Sequence, residues 1–272
     1  NVSDNGTISF TDADLSDAHT ASDDGGAVTA SSLANGYVLT AGQEAALLAA
    51  FSTDASVTFS SATGAGSLGW DYTIADSALD FLGENDSITL SYTVTIDDGT
   101  TTVDEIVTIT VTGTNDLPVI TAEALTIEDN VGPIDASLGL ADGDNNLTNA
   151  PLVGETYADD ETYSVTGQLD ATDVDASDVL EYHIYDGTNA VGSIDLFGTG
   201  AFAGVNFGTL SVNSVTGAYE FVGNAVALNA LDDGENPVLS TMVQVFDGTA
   251  TVMTTFTINL EGENDAPIAI DD

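Results

Sequence analysis

Two Asp-x-Asp segments (Asp12-x-Asp14 and Asp173-x-Asp175), two Asp-Gly turns (Asp98-Gly99 and Asp247-Gly248) and two Asn-Asp-x-Pro segments (Asn115-Asp116-x-Pro118 and Asn264-Asp265-x-Pro267) carry the side chains best suited to chemistry. All of them are oxygen donors. The 272-residue chain has 45 Asp and Glu but no Lys and no Arg, a formal net charge of -45 at pH 7. No side-chain salt bridge to Lys or Arg can form, so any cluster of carboxylates must be relieved by proton uptake, hydrogen bonds, water and salt, or a bound cation. At neutral pH the cation is the strongest of these remedies, and clustered Asp and Asn oxygens suit a hard ion such as Ca²⁺.

The same composition excludes several functions. Nucleic acid is a poor partner because no basic group can replace phosphate counterions, and an anionic membrane surface is disfavoured for the same reason. Cys is absent, so neither disulfides nor thiolate metal sites are available. No stretch reaches the apolar length of a membrane span, and the first residues do not resemble a signal peptide, so the chain is read as a piece of something longer. Hydrophobic content is 43%, which supports a folded protein of two ordinary domains rather than a disordered polyanion. Asp, Asn and Gly are also common turn residues, and it is their recurrence that favours a metal. Asp142-Gly143-Asp144-Asn145-Asn146 lacks the next Gly that a helix-loop-helix calcium loop needs and is read as a solvated loop. His19 and His183 have no Cys or second His close in sequence and are read as strand-edge residues. Trp70 and Tyr219 are read as core. With no thiol, no basic group, no phosphate-binding loop and no single cleft gathering the acids, an enzyme is not expected.

The elements that position these groups emerge from a duplication. At an offset of 149 residues, Trp70 to Pro118 lies ungapped over Tyr219 to Pro267, pairing Asp98-Gly99 with Asp247-Gly248 and Gly113 with Gly262. Earlier the offset becomes 161, laying Asp12 and Asp14 over Asp173 and Asp175, and Asp17 over Asp178. The first repeat is therefore 12 residues longer between the two blocks. Ala41 to Phe51, rich in good helix formers, lies there and predicts a short inserted helix, the only convincing one in the chain. Leu90, Tyr92, Val94 and Ile96 alternate with polar residues, turn at Asp97-Asp98-Gly99 and return through Val107, Ile109 and Val111 as a half-buried hairpin. Its copy runs through Val243 and Val245 and returns through Phe256, Ile258 and Leu260. Ala124 to Ile127 predicts a first strand of the second repeat, residues 135–160 a polar insertion, and the first repeat is read as lacking its own first strand. The fold class predicted is all-β, one β-sandwich per repeat.

On these residues the chain resembles the cadherin-like repeats, called VCBS domains, of giant RTX adhesins secreted by the type I route. The resemblance is carried by Gly167-x-Leu169-x-Ala171-Thr172-Asp173-x-Asp175-x-x-Asp178, Gly208-Thr209-Leu210-x-Val212, Thr216-Gly217-Ala218-Tyr219, Val243-x-Val245-x-Asp247-Gly248 and Gly262-x-Asn264-Asp265-Ala266-Pro267. The first repeat joins it through Asp12-x-Asp14, Asp76 to Leu82 and Gly113-Thr114-Asn115-Asp116-x-Pro118. It implies two tandem Ig-like Greek-key sandwiches, residues 1–117 and 118–266, with 267–272 starting the next linker. It also implies that Asn115 and Asp116 meet Asp173, Asp175 and Asp247 around Ca²⁺, with Glu128 as a further ligand. The matching outer sites would use Asp12, Asp14 and Asp98 at one end, and Asn264 and Asp265 at the other. The function implied is a calcium-rigidified extender of a bacterial cell-surface adhesin, extracellular and monomeric, whose partners are neighbouring repeats. The alternative is a module of the same adhesin that binds carbohydrate, ice or protein through the 42–51 helix or the 135–160 insertion.

Overall fold

In the computed structural model, which describes residues 1–128 and 163–262, the period-two segments are strands whose alternate side chains enter two separate cores. The residues group into two compact units, 1–116 with 173–179 and 117–172 with 180–272. Each has its own all-β architecture.

The first unit contains β1 (Val2–Thr11), β2 (Thr20–Asp23), β3 (Ala27–Ser32), α1 (Ala41–Leu48), β4 (Phe51–Thr53), β5 (Thr58–Ser60), β6 (Ala65–Ile74), β7 (Ser87–Asp97) and β8 (Thr102–Thr112). β6 pairs antiparallel with β1, β4 and β5 in one sheet; β7 pairs antiparallel with β2, β3 and β8 in the other. Ile8, Leu68, Tyr72 and Ile74 from the first sheet share a core with Ile88, Leu90, Tyr92, Val94, Ile109 and Val111 from the second, which makes a sandwich. The helix starts as expected. Thr40 caps it, its side chain accepting from the Gln43 N–H while Gln43 Oε1 accepts from the Thr40 N–H. It ends three residues earlier than the sequence suggested, because Phe51 opens β4, pairs opposite Tyr72 and stacks on Tyr92 with ring centroids 4.1 Å apart. Packing of one large aromatic outweighs the weak helical preference of a single position. Leu47 is fully buried, and the Tyr92 hydroxyl donates to the carbonyls of Leu47 and Leu48, so α1 is built into the core.

The second unit contains β9 (Val119–Ile120), β10 (Glu123–Glu128), β11 (Tyr163–Gln168), β12 (Ala171–Thr172), β13 (Glu181–Tyr185), β14 (Ala190–Val191), β15 (Ser193–Phe197), β16 (Asn206–Val212), β17 (Ala218–Gly223), a one-turn α2 (Ala225–Leu228), β18 (Val238–Phe246) and β19 (Thr251–Glu261). One sheet runs β10-β19-β18-β13-β14; the other runs β11-β17-β16-β15, in which a meander is flanked by an earlier strand in Greek-key order. β9 and β12 form a separate two-residue ladder. β10, read as the first strand, pairs with β19 in parallel, an orientation its sequence did not announce. α2 was not expected, yet it stands where the first unit has a 3₁₀ turn, Asp76–Ala78, at the 149-residue offset.

The duplication is visible in side-chain detail. Gly6 lies opposite Trp70 and Gly167 opposite Tyr219, in antiparallel pairs of the same sheet in each unit. A Cβ would stand 2.6 Å from the Trp70 ring at Gly6 and 2.2 Å from the Tyr219 hydroxyl at Gly167. In each pair the aromatic ring lies over the glycine, covering backbone that would otherwise meet water.

Candidate metal centre

Within the first unit the Asp-x-Asp loop after β1 and the turn between β7 and β8 come together. Carboxylate oxygens of Asp12, Asp17 and Asp98 all lie within 4.8 Å of one another. Each loop is shaped by its own acid. Asp12 Oδ1 accepts from the Asp14 N–H at 2.8 Å, and Asp98 Oδ1 accepts from the Thr100 and Thr101 N–H groups at 2.7 and 2.6 Å. The backbone N–H bonds, Asp14 to Asp12 and Thr101 to Asp98, hold both carboxyls below the usual range. Both therefore stay ionised at neutral pH, as a cation ligand must. Asp14 belongs to the loop and shapes it through that N–H. Asp17 completes the group of three; the offset pairing of Asp17 with Asp178 was the sequence signal for it. His19, read as a strand-edge residue, is instead almost wholly buried, its ring 4.2 Å from Phe59 and 5.0 Å from Phe10, with Nε2 2.9 Å from Asp12 Oδ2.

A second acidic group in the same unit is built from the segment after β8 and from Asp173–Val179. The Asp116 N–H donates to Asp175 Oδ2 at 2.7 Å, and the Asp175 N–H donates to Asp173 Oδ1 at 3.0 Å. Asn115 folds back onto the Asp116 carbonyl. Carboxylate oxygens of Asp173 and Asp178 approach within 4.8 Å. Asp175 sits among them at 2% exposure, and its Oδ1 is buried with no hydrogen-bond partner among the described residues. Burial first, then the neighbouring charges of Asp173, Asp178 and Asp116, push its pKa up to about 6, against the lowering pull of the Asp116 N–H.

The loop that presents these acids is fastened by a different carboxylate. Asp86 is equally buried, but it accepts from the Ala34 N–H at 2.8 Å, the Ser177 hydroxyl at 2.8 Å and the Gly83 N–H at 3.3 Å. The Ala176 N–H donates to the Phe81 carbonyl, and the Asn35 side chain donates to the Ser177 carbonyl at 2.6 Å. Asp86, Asn35 and Ser177 were missed by sequence reasoning, since their partners lie 91 and 142 residues away along the chain.

The donor set suits a hard divalent ion. It is all oxygen, crowded and negatively charged, and it includes one buried carboxylate oxygen lacking a proton donor. In the second unit Asp247 occupies the β18–β19 turn at 4% exposure, its Oδ1 accepting from the Thr249 and Ala250 N–H groups at 2.7 and 2.6 Å, the same pattern as Asp98. Glu128 ends β10. Asn264, Asp265, the 135–160 insertion and Asp142 to Asn146 lie outside the described residues.

No family model matches the chain, and no curated protein matches it. Among solved structures, it is similar to mouse clustered PcdhgC3 EC1-3, at 14% identity and a TM-score of 0.34, over 79% of this chain and 53% of that one. It is similar to Drosophila N-cadherin EC1-3 at 12% identity and a TM-score of 0.28, over 92% and 57%. An endo-fucoidan hydrolase from glycoside hydrolase family 107 aligns at 13% identity and a TM-score of 0.26, over 95% and 26%. The chain thus spans between about a quarter and just over half of these proteins. Among the described residues no helix is long and apolar enough to cross a membrane.

Proposed function

We propose that this chain is a calcium-stiffened extender segment of a bacterial cell-surface adhesin, exported to the outside of the cell, that keeps a distal binding tip at a distance. It is proposed to be non-catalytic, its partners being neighbouring repeats of the same polypeptide. The observation that carries the reading is the buried, unpartnered Asp175 Oδ1, set among Asp173, Asp178 and Asp116 in a protein with no Lys or Arg to answer it. When bound, Ca²⁺ would supply the positive charge that no side chain here provides. Asn115, Asp116, Asp173 and Asp175 are the ligands proposed from this group, with Asp178 added by geometry and with Glu128 and Asp247 by the family resemblance. Asp12, Asp17 and Asp98 form a second candidate group, and Asn264 and Asp265 a third by resemblance alone.

The chemistry that follows is electrostatic. Without the ion, Asp173, Asp175 and Asp178 repel one another and their loop loosens; with it, the same groups share one centre of attraction. The test is solution scattering of the whole chain in millimolar calcium and after chelation, with metal counted after dialysis. Expansion on chelation and at least one retained ion per chain are expected. Superimposable scattering profiles would end the extender reading.

A further inference from the structure

The acidic loop is fastened at Ser177 by two side chains of unequal chemical durability. The Ser177 hydroxyl donates to Asp86 Oδ2 at 2.8 Å, and a carboxylate has no group to lose. The Ser177 carbonyl accepts from the side-chain amide of Asn35 at 2.6 Å, and Asn35 is followed by Gly36. An Asn-Gly pair carries its own reagent. With no Cβ on the second residue, its backbone nitrogen is free to reach the side-chain carbonyl carbon of the first.

Both residues sit in one exposed turn, Ala34–Gly36, with Asn35 in the left-handed region at φ 52° and ψ 20°, and Gly36 at φ 74°. The turn is tied at its ends, the Ala34 N–H donating to Asp86 Oδ1 at 2.8 Å and the Tyr37 N–H to the Ala34 carbonyl at 3.0 Å. At ψ 20° the Gly36 nitrogen is turned away from the Asn35 side chain, so the pair is inert while the amide stays fixed on Ser177. Once that bond opens, the turn has room to rotate, since a Cβ at Gly36 would meet nothing within 4 Å beyond its chain neighbours. The chain has one other Asn-Gly pair, Asn5-Gly6. It lies inside β1, laddered to Asp71 and Trp70 of β6, with the indole against the glycine.

We propose that Asn35 is a self-modification site, and that its reaction is a one-way release of the acidic loop. The Gly36 nitrogen bonds to Asn35 Cγ, the Cγ–Nδ2 bond breaks, and ammonia leaves with the Gly36 proton. Water then opens the cyclic imide at either carbonyl, leaving aspartate or isoaspartate. Water is the sole co-reactant. The product is a carboxylate, which accepts hydrogen bonds but donates none. It faces the Ser177 carbonyl where a donor stood, and adds negative charge beside a loop that already carries Asp173, Asp175 and Asp178. A loop released in this way cannot refasten on that side. Anything that loosens the loop exposes Asn35 to the reaction. Chelation is one such cause, and this consequence alone rests on the calcium reading.

The test incubates the whole chain at mildly alkaline pH, with calcium or with chelator, and follows conversion of Asn35 and Asn5 to aspartate and isoaspartate by peptide mapping. Ser177→Ala, which removes the bond to Asp86 without touching a carboxylate, should speed conversion at Asn35 by about tenfold or more and leave Asn5 intact. Asn35→Asp supplies the product directly. In chelator it should speed exchange of the Ala176 amide, which donates to the Phe81 carbonyl at 3.2 Å, by about tenfold or more and leave the β7 amides unchanged. An unchanged rate at Asn35 in Ser177→Ala, or equal conversion of Asn5 and Asn35 in the parent, overturns the proposal. So does unchanged Ala176 exchange in Asn35→Asp, which also decides the matter if Ser177→Ala unfolds and converts Asn5 as well. Faster conversion in Ser177→Ala with equal rates in calcium and chelator supports the site and counts only against the calcium reading.

Discussion

Asp86 and Asp175 are both 2% exposed, yet they are solvated by the protein in opposite ways. Asp86 receives three hydrogen bonds, whereas Asp175 receives one and faces three other acids. A carboxyl whose folded pKa of about 6 exceeds its ordinary value takes up its proton more readily when folded. It contributes full stability below about pH 4, and that contribution is lost as pH rises through about 6. Metal-free protein should therefore melt lower at pH 7 than at pH 4.5. Asp175→Asn should remove that loss and raise the metal-free melting temperature at pH 7, while weakening the response to calcium; a calorimetric melt of both proteins with and without chelator decides it. A variant less stable than the parent in both conditions would show that Asp175 is merely a packing residue. At this scale the sequence revealed the acids and their loops, because Asp-x-Asp and Asp-Gly are local patterns. It concealed Asp86, whose partners are brought to it only by folding.

Among the elements, the two hairpins were the most legible, because a half-buried strand writes its two-residue period directly into composition. β7 realises it along its whole length, Ser87–Asp97, whereas β8 realises it only from Val107 to Thr112, its first five residues being exposed. The three-residue strands β4 and β5 were not legible, being too short to show a period. The parallel sense of β10 was hidden too, since alternation says which side chains are inside but not which way the neighbour runs. Gly167 belongs to the repeated motif, but the reason for a glycine there and at Gly6 is the ring across the strand pair. Gly167→Val should cost about 1–3 kcal/mol through overpacking against Tyr219, and Gly6→Val should do the same against Trp70. Calorimetry should assign each loss to the unit that carries it. If either variant melts like the parent, the ring is free to move aside and the close approach is incidental.

For the molecule as a whole, 45 acids without a single Lys or Arg make self-repulsion a standing cost of folding. Any salt screens it, whereas a bound ion acts at a site, so the two are separable by concentration. Millimolar calcium should raise the melting temperature well beyond sodium chloride of the same ionic strength. Equal shifts from the two salts would mean screening alone. The pairing of Trp70 with Gly6, with Phe51 stacked on the indole at a centroid distance of 5.9 Å, has a practical outcome. Trp70 is the sole tryptophan of the chain, and the other unit has tyrosine at the equivalent place. Indole emission excited at the red edge of the absorption band is therefore a private optical reporter of one sandwich. Far-ultraviolet dichroism registers both, so the order in which the two lose structure can be watched in one unlabelled sample.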